Sequence, residues 1–162
     1  MANHARAMPE PIPVYKALRD AIIGLSPQKV GLTPSAEAPH CWGVLLEIGS
    51  ERAVATLVAL ADGTTSLYFS SGGGVIGCGG HAAVAAAARK LVAAADAHLS
   101  ELRPTSTFPL PGVGRLRFYL LTFSGALTAE VAEEELQDGQ HPLAALYTAG
   151  QEVLTQVRLL TP

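Results

Sequence analysis

Between Tyr68 and Leu91 the chain reads YFSSGGGVIGCGGHAAVAAAARKL, and six of the nine residues from Gly72 to Gly80 are glycine. Successive glycine amides ahead of a helix can form a concave cluster of donors, and the helix dipole adds partial positive charge. No acidic residue occurs from Ser70 to Arg89 to repel an anion. On this reading Gly72, Gly73, Gly74, Gly77, Gly79 and Gly80 form a ligand-binding site for a small anionic group. Cys78 and His81 are the candidate catalytic pair, because a helix N-terminus lowers a thiol pKa and a nearby imidazole could take its proton. The architectural alternative is that the glycines supply positive φ or let backbone pass closely over the sheet, and that Cys78 is a small buried residue.

Nucleotide motifs fail on context. GGGVIG, residues 72–77, satisfies G-x-G-x-x-G, but the strand before it is the second arm of a hairpin, and Asp96, nearly twenty positions on, sits inside a helix. The P-loop pattern fails because Gly80 and His81 stand where Lys and Ser or Thr are required. His40-Cys41 and Cys78-His81 supply two nitrogens and two sulfurs, but adjacent His and Cys on a strand point to opposite faces, and the paired-ligand spacings of zinc sites are missing. No metal site and no cofactor is expected. Ser70, Ser71 and Ser124 lie outside any G-x-S-x-G elbow. Glu130, Glu133, Glu134, Glu135 and Asp138 read as a solvated edge, His4 as an arm residue, His98 as a solvated helix residue and His141 as a helix cap.

The elements that must position these groups follow from periodicity. Tyr15, Leu18, Ile22 and Leu25 recur at helical spacing, with Lys16, Arg19 and Asp20 on the opposite side. CWGVLLEI, residues 41–48, predicts a strand with Trp42, Val44, Leu46 and Ile48 on one face, and AVATLVAL predicts a second. Asp62-Gly63 suits a two-residue type I′ turn, which would pair Val58 with Leu67 and Thr56 with Phe69. Val84, Ala88, Leu91, Val92, Ala95, Leu99 and Leu102 predict a long helix ended by Pro104. Two further strands follow, RLRFYLLTF and ALTAEV, and Pro142 opens a last helix carrying Leu143, Leu146, Tyr147, Gly150, Val153, Leu154 and Val157.

The expected order is αβββαββα, an α+β fold with a five-stranded antiparallel sheet and amphipathic helices. That order resembles the profilin-like and roadblock-like architectures, by analogy of topology only, since no sequence motif of either is matched. The resemblance implies helices around a sheet and association in pairs.

Composition bounds the rest. The 162 residues suit a single domain, expected over 12–162 behind a flexible N-terminal arm at 1–11 that has no signal-peptide apolar region. With 49% hydrophobic and 15% charged residues, the chain promises apolar surface beyond one core. A net charge of -3 argues against nucleic acid, and the apolar runs are too interrupted to span a membrane. Two cysteines make no disulfide framework, so reduced thiols and a cytoplasmic location are expected. The leading expectation is a non-catalytic interaction or regulatory module that self-associates as a homodimer and can meet another protein. The alternative is a binder of a small molecule or anion, or a thiol enzyme, with its site at 72–80.

Overall fold

The computed structural model describes residues 8–160; most of the arm expected at 1–11, including His4, lies outside the described residues. The chain forms α1 (Pro13–Ile23), β1 (Cys41–Gly49), β2 (Val54–Leu60), β3 (Thr65–Phe69), β4 (Gly74–Val75), α2 (Ala82–Asp96), β5 (Arg103–Thr105), β6 (Arg115–Thr122), β7 (Gly125–Ala132), α3 (Glu133–Gln137) and α4 (Ala144–Arg158). The strands make one antiparallel sheet in the order β4-β3-β2-β1-β6-β7-β5. It is an α+β fold, but among the described residues there are seven strands where five were expected and four α-helices where three were expected. The order αβββαββα, on which the profilin-like and roadblock-like analogy rested, is therefore not that of the chain.

The two extra strands were concealed by their composition. β4 is a Gly-Val pair inside the glycine run, and β5 is built around Pro104. Proline lacks an amide proton, which costs nothing on an edge strand, so Pro104 marks a sheet edge and not the end of a long helix. α2 stops at Asp96 instead. That carboxylate accepts the backbone N–H groups of His40 and Cys41, both at 2.7 Å, tying the C-terminal end of α2 to the start of β1. The acidic segment supplies α3, anchored by buried Leu136. α4 begins at Ala144, just beyond Pro142, and His141 caps the approach by accepting the Leu143 amide at Nδ1.

Both faces of the sheet are covered, which explains why β1 is buried along nearly its whole length instead of alternating. On one face α2 and α4 pack on Val44, Leu46, Leu57, Phe118 and Leu120. Alanines on α2 and Gly150 on α4 allow the close approach, and a Cβ at Gly150 would come within 2.5 Å of the Leu46 side chain. On the other face α1 and the segments around Leu32 and Phe108 cover Leu45, Val58, Leu60, Tyr119 and Leu121.

Two local features change which side chains share a face. The β2–β3 loop contains Ala61, Asp62 and Gly63: Leu60 N donates to Thr64 O, and only Gly63 has positive φ, at 92°. This is a three-residue loop, not the expected type I′ turn, so Leu67 faces Leu57 and Phe69 faces Ala55, and both join the α2–α4 side. Asp62 can keep negative φ because its carboxylate accepts the Thr64 amide at 2.9 Å. At the start of β1 the register against β6 shifts between Cys41 and Gly43. The irregularity turns Trp42 to the α1 side with Leu45, away from Val44, Leu46 and Ile48.

Candidate functional site

The glycine loop is a tight backbone corner with its amides partly engaged. Gly72, Gly73, Gly74 and Gly77 have positive φ, whereas Gly79 and Gly80 do not. Gly72 N donates to Phe69 O at 2.9 Å, and Gly73 O accepts the Phe69 amide. Gly77 N donates to Ser66 Oγ at 3.1 Å. Any Cβ at Gly74 would run into the Leu67 carbonyl, and one at Gly79 into the Gly63 carbonyl. Gly80 has open space on its side-chain side. The loop thus needs glycine at 72–74 and 77 for conformation and at 74 and 79 for close packing.

Cys78 and His81 are placed in different environments. Cys78 is buried in the α2 side of the core, its Sγ–H directed at Thr65 O at 3.3 Å. Burial pushes its pKa up, the opposite of what a nucleophile at neutral pH requires. His81 occupies the N-cap position of α2, exposed, with no side-chain capping bond. Cys41 is also buried, with Sγ–H toward Gly43 O, and burial raises its pKa to about 12. Both cysteines are free. Among the described residues no group of three or more His, Cys, Asp or Glu could hold a metal ion, and no helix is long and apolar enough to cross a membrane.

Gly72, Gly73 and Gly74 form one bank of a cavity of about 240 Å³ whose other bank is α1, through Val14, Tyr15 and Leu18. Tyr68 and Phe69 contribute to its walls, and Ile76 stands on its rim. None of the described residues that line it is charged. Val14 and Ile76 are 58% and 67% exposed and rank among the few large apolar side chains left in solvent. The loop also fixes α1: Ile12 N donates to Ser70 O at 2.9 Å, and Ser70 Oγ accepts the Val54 amide.

Beneath α1 lies a buried polar network. Arg19, expected on the solvent side of its helix, turns inward and grips Glu47 of β1 with Nε and Nη2, each at 2.8 Å from a carboxylate oxygen. Glu47 is 0% exposed. The Thr56 hydroxyl donates to Glu47 at 2.7 Å, Tyr15 shares a hydrogen bond with Thr56, and Arg19 also reaches Phe108 O. Burial first, and then the Glu47 charge, raise the Tyr15 pKa to about 12. Burial is the largest influence on Arg19 and opposes its charge, but the hydrogen bond to Glu47, the Glu47 charge, and Tyr15 and Tyr119 together outweigh it, and the guanidinium is held more firmly protonated. Cross-strand pairing extends the row: Glu47 lies between Thr56 and Arg117, and Arg117 pairs with Glu130 at 2.9 Å. The Tyr119 ring lies near both guanidinium groups, 5.8 Å from that of Arg19 and 5.9 Å from that of Arg117. The signal for this network in the sequence was a lone acid inside CWGVLLEIG.

A second cavity, of about 560 Å³, opens on the opposite side of the β3 end, between the sheet and α4. Phe69 lines both cavities. No protein-family model, no curated protein and no solved structure matches the chain.

Proposed function

We propose that the protein is a non-catalytic module that works by association, and that it forms a homodimer through the cavity between α1 and the glycine loop. One observation carries the reading: an exposed apolar knob, Ile76, stands on the rim of an uncharged apolar hole of the same molecule. A two-fold interface is self-complementary, so a knob beside a hole lets each copy insert Ile76 into the other. The net charge of -3 is small, and long-range self-repulsion is correspondingly weak. Two thiols kept separate suit a reducing compartment, and the cytoplasm is the proposed one.

Sedimentation equilibrium tests this at micromolar concentration. The expected result is twice the monomer mass for the wild type and the monomer mass for Ile76→Asp. A monomeric wild type, or an Ile76→Asp variant that still dimerises, overturns it. The thiol-enzyme reading has less support, because Cys78 is buried and already donates its proton to a backbone carbonyl.

A further inference from the structure

We propose that a third cavity, between the C-terminal end of α1 and the β6–β7 hairpin, binds a small uncharged molecule that carries a carbonyl on an apolar body. Its volume of about 320 Å³ is of the size that holds a small organic ligand. Ile23, Leu25, Pro27, Phe108 and Leu121 give it an apolar wall, and none of the described residues that line it is charged. An ion taken into this wall would lose its hydration with no counter-charge to offset the loss, so the ligand is uncharged.

The indole of Trp42 decides the polar group. Trp42 lines the cavity and is only 3% exposed, and its buried Nε1–H has no hydrogen-bond acceptor among the described residues. A buried indole N–H ordinarily finds a partner, and leaving one unpaired costs more than an average hydrogen bond contributes. The threonine hydroxyls of the lining are already committed to their own turns. Thr105 Oγ1 donates to Thr107 O and accepts the Thr107 amide, and Thr122 Oγ1 donates to Gly125 O and accepts the Ser124 amide. Ser26 Oγ accepts the Lys29 amide and keeps its own proton to give. The protons left on these side chains, those of Trp42 and Ser26, call for an acceptor, and a carbonyl oxygen supplies one with two lone pairs and no proton of its own. Nε1 is closed to solvent, but Ile23, Leu25 and Phe108 are only half-buried, so seating the ligand against the indole takes a shift of these side chains. The cavity shares no lining residue with the one proposed for dimerisation, and neither reading depends on the other.

Trp42 is the chain's one tryptophan, so the uniformly ¹⁵N-labelled protein gives a single indole N–H signal that reports on this site. The titration uses acetophenone, its isostere α-methylstyrene, in which a methylene group replaces the carbonyl oxygen, and the charged analogues benzoate and benzylammonium. Acetophenone should move the indole signal downfield and saturably, together with amides at residues 23–27 and 121–126. Binding of α-methylstyrene should be weaker by about tenfold or more, because it leaves the indole N–H unpaired. Trp42→Phe keeps an aromatic ring and removes the N–H, and it should erase the preference for acetophenone over α-methylstyrene read from the same amides. The comparison of the two isosteres on the wild type stands whether or not that variant folds. Absence of saturable shifts, equal binding of the two isosteres, equal binding of benzoate or benzylammonium, or a preference that survives in Trp42→Phe would each overturn the assignment.

Discussion

Three glycine-to-alanine substitutions separate backbone strain from close packing at the β2–β3 loop and the glycine run. At Gly73, φ is 82° and a Cβ would have nothing within 4 Å, so only conformation is perturbed. At Gly79, φ is not positive, but a Cβ would strike the Gly63 carbonyl, so only packing is perturbed. Gly63 suffers both, with φ at 92° and a Cβ that would come within 2.8 Å of Ala85 Cβ on α2. A left-handed residue costs about 1–2 kcal/mol, overpacking about 1–3, and alanine returns about 0.4–1 by restricting the unfolded chain. The expected losses are thus about 1 kcal/mol for Gly73→Ala, about 1.5 for Gly79→Ala and about 3 for Gly63→Ala. Urea unfolding monitored by fluorescence measures them cleanly, because Trp42 is the chain's one tryptophan and is buried in the core. If Gly73→Ala were as costly as Gly63→Ala, the contact of the turn with α2 would carry no energy and the reasoning would fail.

Other expectations concern the buried charges and the thiols. Glu47→Gln should cost about 3–5 kcal/mol by leaving Arg19 buried without its counter-charge, while Arg19→Met/Glu47→Leu should lie closer to wild type than either single change; a loss below about 1 kcal/mol for Glu47→Gln refutes the pairing argument. Cys41 is pushed from its ordinary 9.0 to about 12, so between those pH values the unfolded chain holds fewer protons than the folded one and stability must fall as pH rises. Cys41→Ala should make that alkaline decline shallower by up to about 1.4 kcal/mol per pH unit, and an unchanged slope in urea midpoints contradicts it. Iodoacetamide should alkylate Cys78 in the folded protein more slowly than a free thiol at pH 8, with no dependence on His81→Ala; rapid, His81-dependent alkylation near pH 6 would restore the catalytic pair.

The long periodic segments were legible because burial leaves a direct imprint on them. Helix α1, the apolar stripes of α2 and α4, and the strands β1, β2, β3, β6 and β7 could all be read from spacing. What escaped was set by single contacts. The register of β3 turned on whether Asp62 or only Gly63 takes positive φ, and the Asp62 side-chain bond to Thr64 decided it. The end of α2 was fixed by Asp96 reaching amides 55 and 56 residues away, which no local pattern encodes. At the candidate site, glycine identity was informative about the tight corner. It carried no sign that α1 would form the opposite bank of the cavity, because that depends on where Arg19 docks.

The Arg19–Glu47 pair has a consequence for how the molecule specifies itself. As a source of net stability a buried ion pair is weak, since desolvation consumes most of the attraction. As an address it is strict. Sliding α1 by one turn along the sheet would keep much of its apolar contact, because Leu18, Ile22 and Leu25 would still meet a greasy surface. It would also strip Glu47, fully buried, of the guanidinium that grips both its carboxylate oxygens, at a cost comparable to a large part of a domain's total stability. The helix therefore has one seat and no adjacent ones, and its position is read from a single charge on the central strand.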